Sequence, residues 1–320
     1  VLARKCGKNT CQCGSRLKQT LARLASLAKR GFMKKIMLAL TLALSLSLLE
    51  AQEDFRDQFW FFMKKQDYTN AELVLTKWEE LYKNNIEVCI AYFNYYIFRD
   101  IKQINVIGTM PDGRQGLYPK DVYNQNDVMI GIEYLNKALL ININRLDVHL
   151  GKCAILIRSE NYSLAKDSII VLLQTSNTNK NKWFWTDNKP IESIKQNGMQ
   201  VVLESVNDYI NKMYLYFNNN KNYIKEICDT LILYYPEITY GYNHLARYYM
   251  ENKDNTNALY VLLKAYEINP NDYIIVGNIA YIYESIGDKE MALKYYKILT
   301  EMNSNEAKKI GFSGIERLKQ

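Results

Sequence analysis

The sequence predicts an all-α fold made of stacked antiparallel helix pairs, and three observations carry that expectation. Breakers are scarce, with 14 Gly and 5 Pro in 320 residues, which suits long helices joined by short turns. Tyr is abundant at 26 residues, and a ring that can be buried while its hydroxyl stays wet suits half-buried helix faces. Related residues also return at intervals of thirty-four, the mark of a repeat architecture. At 48% hydrophobic and 23% charged, the chain has apolar material for a large core.

The N-terminal segment is different from the rest. Val1 to Leu49 holds no acidic residue and ten Lys or Arg. Residues 1–32 also lack Tyr and Ile, and we expect them to be a non-native or over-extended start, with translation beginning at Met33. Met33-Lys34-Lys35 precedes fourteen uncharged residues, Ile36 to Leu49. That run is too short for a bilayer span of roughly 20 residues and fits the apolar core of a signal peptide. Residues 33–51 are therefore expected to be a signal peptide cleaved after Ala51, with Ser47 as the alternative. Without residues 1–50 the chain keeps 41 − 10 = 31 basic and 34 − 1 = 33 acidic side chains, net −2. No basic excess remains to replace counterions on phosphates, so nucleic acid is set aside as a partner.

Cys6, Cys11 and Cys13 fall in the doubtful start, and C-x4-C-x-C without His matches no zinc spacing. Cys89, Cys153 and Cys228 sit in apolar helical runs and are expected to be core thiols.

From residue 52 to 320 a repeat domain is expected. Segments of thirty-four residues start at Ser205, Thr239 and Tyr273. Their eighth residues are Lys212, Ala246 and Ala280, and their eleventh are Leu215, Tyr249 and Tyr283. Their twentieth are Ile224, Ala258 and Ala292, and their twenty-seventh are Leu231, Ala265 and Leu299. Positions eight and eleven share one face of a first helix, and twenty, twenty-four and twenty-seven share one face of a second. Small Ala at eight and twenty lets the two helices approach closely. Pro236 and Pro270 at thirty-two cannot continue a helix and set the next turn. With Gly287, this pattern resembles the tetratricopeptide repeat, a helix–turn–helix unit of about 34 residues.

The second-helix pattern recurs upstream at Ala165, Ile169 and Leu172, at Gly131, Leu135 and Ala138, and at Ala71, Leu75 and Trp78. Two gaps exceed the period, and each holds a Pro- or Gly-bearing stretch. Insertions of loop character are expected at about 100–126 and 176–198, and a capping helix at 306–320, since an open end would leave apolar surface in water.

The resemblance implies a right-handed helical-repeat solenoid that holds a peptide on the face lined by first helices. Carried over, that face is Tyr240, Asn243, Arg247 and Met250 in one unit and Ile274, Gly277, Tyr281 and Glu284 in the next. In the degenerate unit it is Val206, Tyr209, Met213 and Tyr216. Only Asn243 and Arg247 match the Lys and Asn set with which some members grip carboxylates. We single out Tyr209, Met213, Tyr240, Asn243, Arg247 and Tyr281 as binding candidates. A second candidate is Lys182-Trp183-Phe184-Trp185, whose Trp183 and Trp185 either offer an exposed contact or fold over a gap between repeats.

No catalyst is expected. There are two histidines, His149 and His244, far apart, and no H-E-x-x-H, G-x-S-x-G or G-x-x-x-x-G-K-[ST] motif. No cofactor, metal or catalytic residue is assigned. The expectation is an exported bacterial repeat scaffold, periplasmic or at the cell surface, that binds a protein or peptide. The alternatives are a self-associating solenoid and a hydrolase or ligand carrier using the insertions.

Overall fold

The computed structural model describes residues 54–109, 115–215 and 217–319. The proposed over-extended start and the signal peptide lie outside the described residues. Two compact units divide between Trp78 and Glu79. The first shows helix α1 at 54–64 and most of α2, Tyr68–Leu81. Phe59, Ala71, Leu75 and Trp78 form its apolar interior, and Phe55 stacks on Trp78.

The second unit is a stack of helix pairs: α3 Ile86–Arg99 with α4 Gln125–Ile141, and α5 Leu146–Arg158 with α6 Tyr162–Thr178. These are followed by α7 Gly198–Tyr214 with α8 Phe217–Tyr234, then α9 Thr239–Glu251 with α10 Asn255–Ile268. The last pair is α11 Tyr273–Ser285 with α12 Lys289–Glu301, and α13, Asn305–Leu318, packs on both of its helices. Helix starts are fixed by short polar caps. Asn85, Asn124, Asn197, Asp254, Asp272, Asp288 and Ser304 each accept a backbone N–H from the first turn, satisfying donors that have no partner in the helix. Among the described residues no helix is long and apolar enough to cross a membrane.

The turn inside the pair is built the same way in α5–α6, α9–α10 and α11–α12. Glu160, Lys253 and Gly287 adopt left-handed φ of 63°, 61° and 83°. The following N–H reaches back five residues, Asn161 to Leu156 O at 2.8 Å, Asp254 to Tyr249 O at 2.8 Å and Asp288 to Tyr283 O at 2.9 Å. This is the closure that ends a helix through a left-handed residue. The thirty-four-residue step from Lys253 to Gly287 is thus a repeat of backbone geometry as well as of side chains.

Small residues set the depth of packing. Ala165, Ala258 and Ala292 are fully buried, as is Ile224, the bulkier equivalent in the degenerate unit. Gly131 holds the same place in α4, where an added Cβ would sit 3.2 Å from the Phe93 ring. The three cysteines of this unit are buried thiols, and burial pushes Cys153 up to about 12, which keeps it protonated and unreactive.

The helical class is interrupted twice. Residues expected as a loop at 100–126 contain a two-stranded antiparallel ribbon, β1 Lys102–Thr109 with β2 Gln115–Val122. It replaces the turn between α3 and α4. The second excursion, between α6 and α7, carries the short pair β3 Phe184–Trp185 and β4 Lys189–Pro190 with two single turns of 3-10 helix.

A buried ion cluster holds this second excursion down. Arg145 is wholly buried. Its Nη1 lies 2.9 Å from Glu87 Oε1, while Nε and Nη2 donate to the two oxygens of Asp147 at 2.9 and 2.7 Å. The Asp187 N–H donates to Glu87 Oε1 at 3.1 Å, and Phe184 N–H donates to Asn144 O at 2.8 Å. Trp183 fills the slot beneath, edge-on to His149 with ring centroids 5.6 Å apart. Gly198 is required there, because a Cβ would fall 2.7 Å from both Trp183 Cδ1 and Asn181 O.

Candidate binding face

First helices α7, α9 and α11 lie side by side, and their outward residues form one surface. Asn278 Nδ2 donates to Asn243 Oδ1 at 2.7 Å, linking α11 to α9. One layer below, His244 Nε2 lies 2.8 Å from Asn207 Oδ1, and Tyr214 donates to His244 O at 2.7 Å, linking α9 to α7. Arg247 rests on the Tyr214 ring with its guanidinium carbon 3.8 Å from the centroid. Glu251 is 3.8 Å from Arg247 Nε, and both side chains face water, where such a pair contributes little. A groove of about 650 Å³ opens here, lined by Asn243, Arg247, Met250, Asn278, Tyr281 and Ser285 among others.

Tyr281 also borders a smaller apolar hollow of about 270 Å³ with Ile274, Gly277 and Ile310. Its far wall is closed by Arg317, which donates to both oxygens of Glu284 at 3.0 Å. That guanidinium holds the Glu284 carboxyl below the usual range, so Glu284 is committed to docking α13 and is not offered to a ligand.

The candidates divide by burial. Tyr240, Arg247 and Tyr281 are exposed and Asn243 is half-buried. Tyr209 and Met213 are core residues, 6% and 0% exposed, and are corrected here. Tyr209 donates to Leu150 O at 3.0 Å. The thirty-four-residue frame placed the first helix of that unit from Ser205, whereas α7 runs Gly198–Tyr214. The faces therefore shift, and Val206, Tyr209 and Met213 point inward. Trp183, at 1% exposed, offers no surface either, and Trp185 is half-buried beside it. Asn207, Tyr214 and Asn278 were missed. Asn278 stands thirty-five residues after Asn243, one step off the repeat period, so the spacing alone does not point to it.

Both histidines are buried and serve as struts. His149 Nε2 donates to Ile143 O at 2.8 Å. Burial lowers each imidazole from 6.5 to about 4. Unfolded chain binds these protons near pH 6.5 and folded chain does not, so the stabilisation is fully present above 6.5 and is lost as pH falls toward 4. The expected slope is on the order of 1.4 kcal/mol per pH unit for each group at full effect. Urea midpoints between pH 7 and 4.5 check this, with a shallower loss expected for H149Q/H244Q. Equal slopes for the two proteins would rule it out.

Residues 240–272 and 275–306 match the family model described as tetratricopeptide repeat. They coincide with the α9–α10 and α11–α12 pairs and so contain the face just described. Solved structures similar to the chain include the TPR domain of P58(IPK), at 10% identity over 84% of this chain and 64% of that one, TM-score 0.30. YrrB, titled a TPR protein with an unusual peptide-binding site, aligns at 12% identity over 76% and 97% of the two chains, TM-score 0.38. The C-terminal part of a TPR repeat-containing protein from Cytophaga hutchinsonii aligns at 17% identity over 77% and 78%, TM-score 0.38. No curated protein matches the chain.

Proposed function

We propose that this chain is a non-catalytic scaffold that holds a protein or peptide on the first-helix face of its tetratricopeptide repeats. The carrying observation is the solvent-open row of Asn243, Arg247, Asn278 and Tyr281 across two adjacent repeats. The linked amides of Asn243 and Asn278 suit a polypeptide backbone, and an exposed Tyr with a fixed guanidinium suits anchoring side chains. The basic start and fourteen-residue apolar run at Met33–Leu49 support export to the periplasm or cell surface.

The test is capture from an envelope extract by the tagged chain, compared with a Y240A/R247A/Y281A variant. All three positions are exposed, so helicity should be unchanged while a partner held by the wild type is lost. Equal capture by both would move the binding surface elsewhere. Recovery of the chain from the cytosolic fraction with Met33 intact would overturn export.

A further inference from the structure

Two grooves open beside α9, and their charges are opposite. One, of about 620 Å³, lies where α7, α9 and α11 begin. It is lined by Glu204, Glu237 and Asp272 with Tyr240 and Ile268, and no Lys or Arg takes part. Asp272 is spent on capping α11 and on accepting Thr239 Oγ1 at 2.9 Å. Glu204 and Glu237 are exposed. The other groove is the one at the far end of α9, where Arg247 and Lys253 outweigh Glu251. There the Tyr214 ring fixes the guanidinium. That ring is itself anchored by its bond to His244 O, so the cation is held in place before any ligand arrives.

We propose that this face takes an extended segment of a partner protein in one sense only. A basic side chain of the segment sits in the acidic groove and an acidic one against Arg247. This rests on the peptide-binding reading above and adds the chemistry of the segment. A helix rises about 1.5 Å per residue, so the stretch from Thr239 to Arg247 covers roughly 12 Å, which is about four residues of extended chain. Opposite charges at the two ends reject the reversed segment by like-charge contact, which gives specificity more than raw affinity. A polyanion such as a nucleic acid or an acidic lipid surface would meet the carboxylates of the first groove and be repelled.

The experiment uses the full chain, immobilised, to select from a display library of random dodecapeptides, in parallel with E204K/E237K and with R247E. The wild type should enrich peptides bearing Lys or Arg about four residues from Asp or Glu. E204K/E237K should lose the preference for the basic position by about tenfold and keep the acidic one, and R247E should do the converse. Circular dichroism checks that both variants fold. Enriched peptides without the charge pair, or a pair preserved in both variants, would overturn the proposal while leaving a peptide-binding face. No enrichment over bare resin for any of the three chains would overturn the peptide-binding reading itself.

Discussion

Replacing Arg145 with methionine is expected to lower the stability of the chain by about 3–5 kcal/mol. The guanidinium is fully buried and serves two carboxylates, Glu87 and Asp147, which keep only 9% and 15% side-chain exposure. Truncation leaves both acids deep in the protein without a counter-charge, and that desolvation dominates the loss. Denaturant midpoints followed by helicity measure it. The triple exchange R145M/E87Q/D147N should recover much of the loss, because neutral amides are far cheaper to bury than carboxylates. An unchanged midpoint for the single variant would mean that the cluster contributes nothing to the fold.

Ala258→Glu should be nearly as damaging. Ala258 is fully buried where α10 meets α9, a contact made close by its single methyl group. The larger side chain overpacks the pair and carries a charge into an apolar interior, each effect on the order of 1–3 kcal/mol. The same change at exposed Thr256, two residues earlier and nearly opposite on the helix, should be close to neutral. Equal melting temperatures for the Ala258 variant and the wild type would mean that the repeat register is misplaced.

The helix pairs were legible because one constraint repeats. Ala at positions eight and twenty is a steric requirement of close helix contact, and it survives in sequence as Ala246, Ala258, Ala280 and Ala292. The register failed where spacing stopped being constant. The excursion at 176–198 lets α7 begin at Gly198, seven residues ahead of the frame, so Tyr209 and Met213 were assigned to the wrong face. The ribbon at 102–122 was hidden by its glycines and prolines, although Ile104 and Val106 alternate with Gln103 and Asn105 as a strand does. For Trp183 the sequence left two readings open, an exposed contact or a ring folded over a gap between repeats, and its burial fits the second. Its burial depends on Gly198 and His149, which are distant in sequence, and on the Arg145 cluster, which no local pattern announces. Half of the candidate face was readable for the same reason as the fold, since Asn243, Arg247 and Tyr281 belong to the two regular repeats.

The Arg145 cluster divides the chain into two mechanical regimes. In a repeat stack each unit touches its neighbours alone, so units can open one at a time from an end. Helices α9 to α13 follow that rule. The bond from Asp187 to Glu87 instead spans one hundred residues, joining the entrance of α3 to the excursion ahead of α7. Opening a unit within this span strains contacts beyond its immediate neighbours, so the stretch from α3 to the second excursion is expected to open more cooperatively than α9 to α13. The last two helix pairs are thus expected to behave as a compliant arm and the first two as its rigid mount.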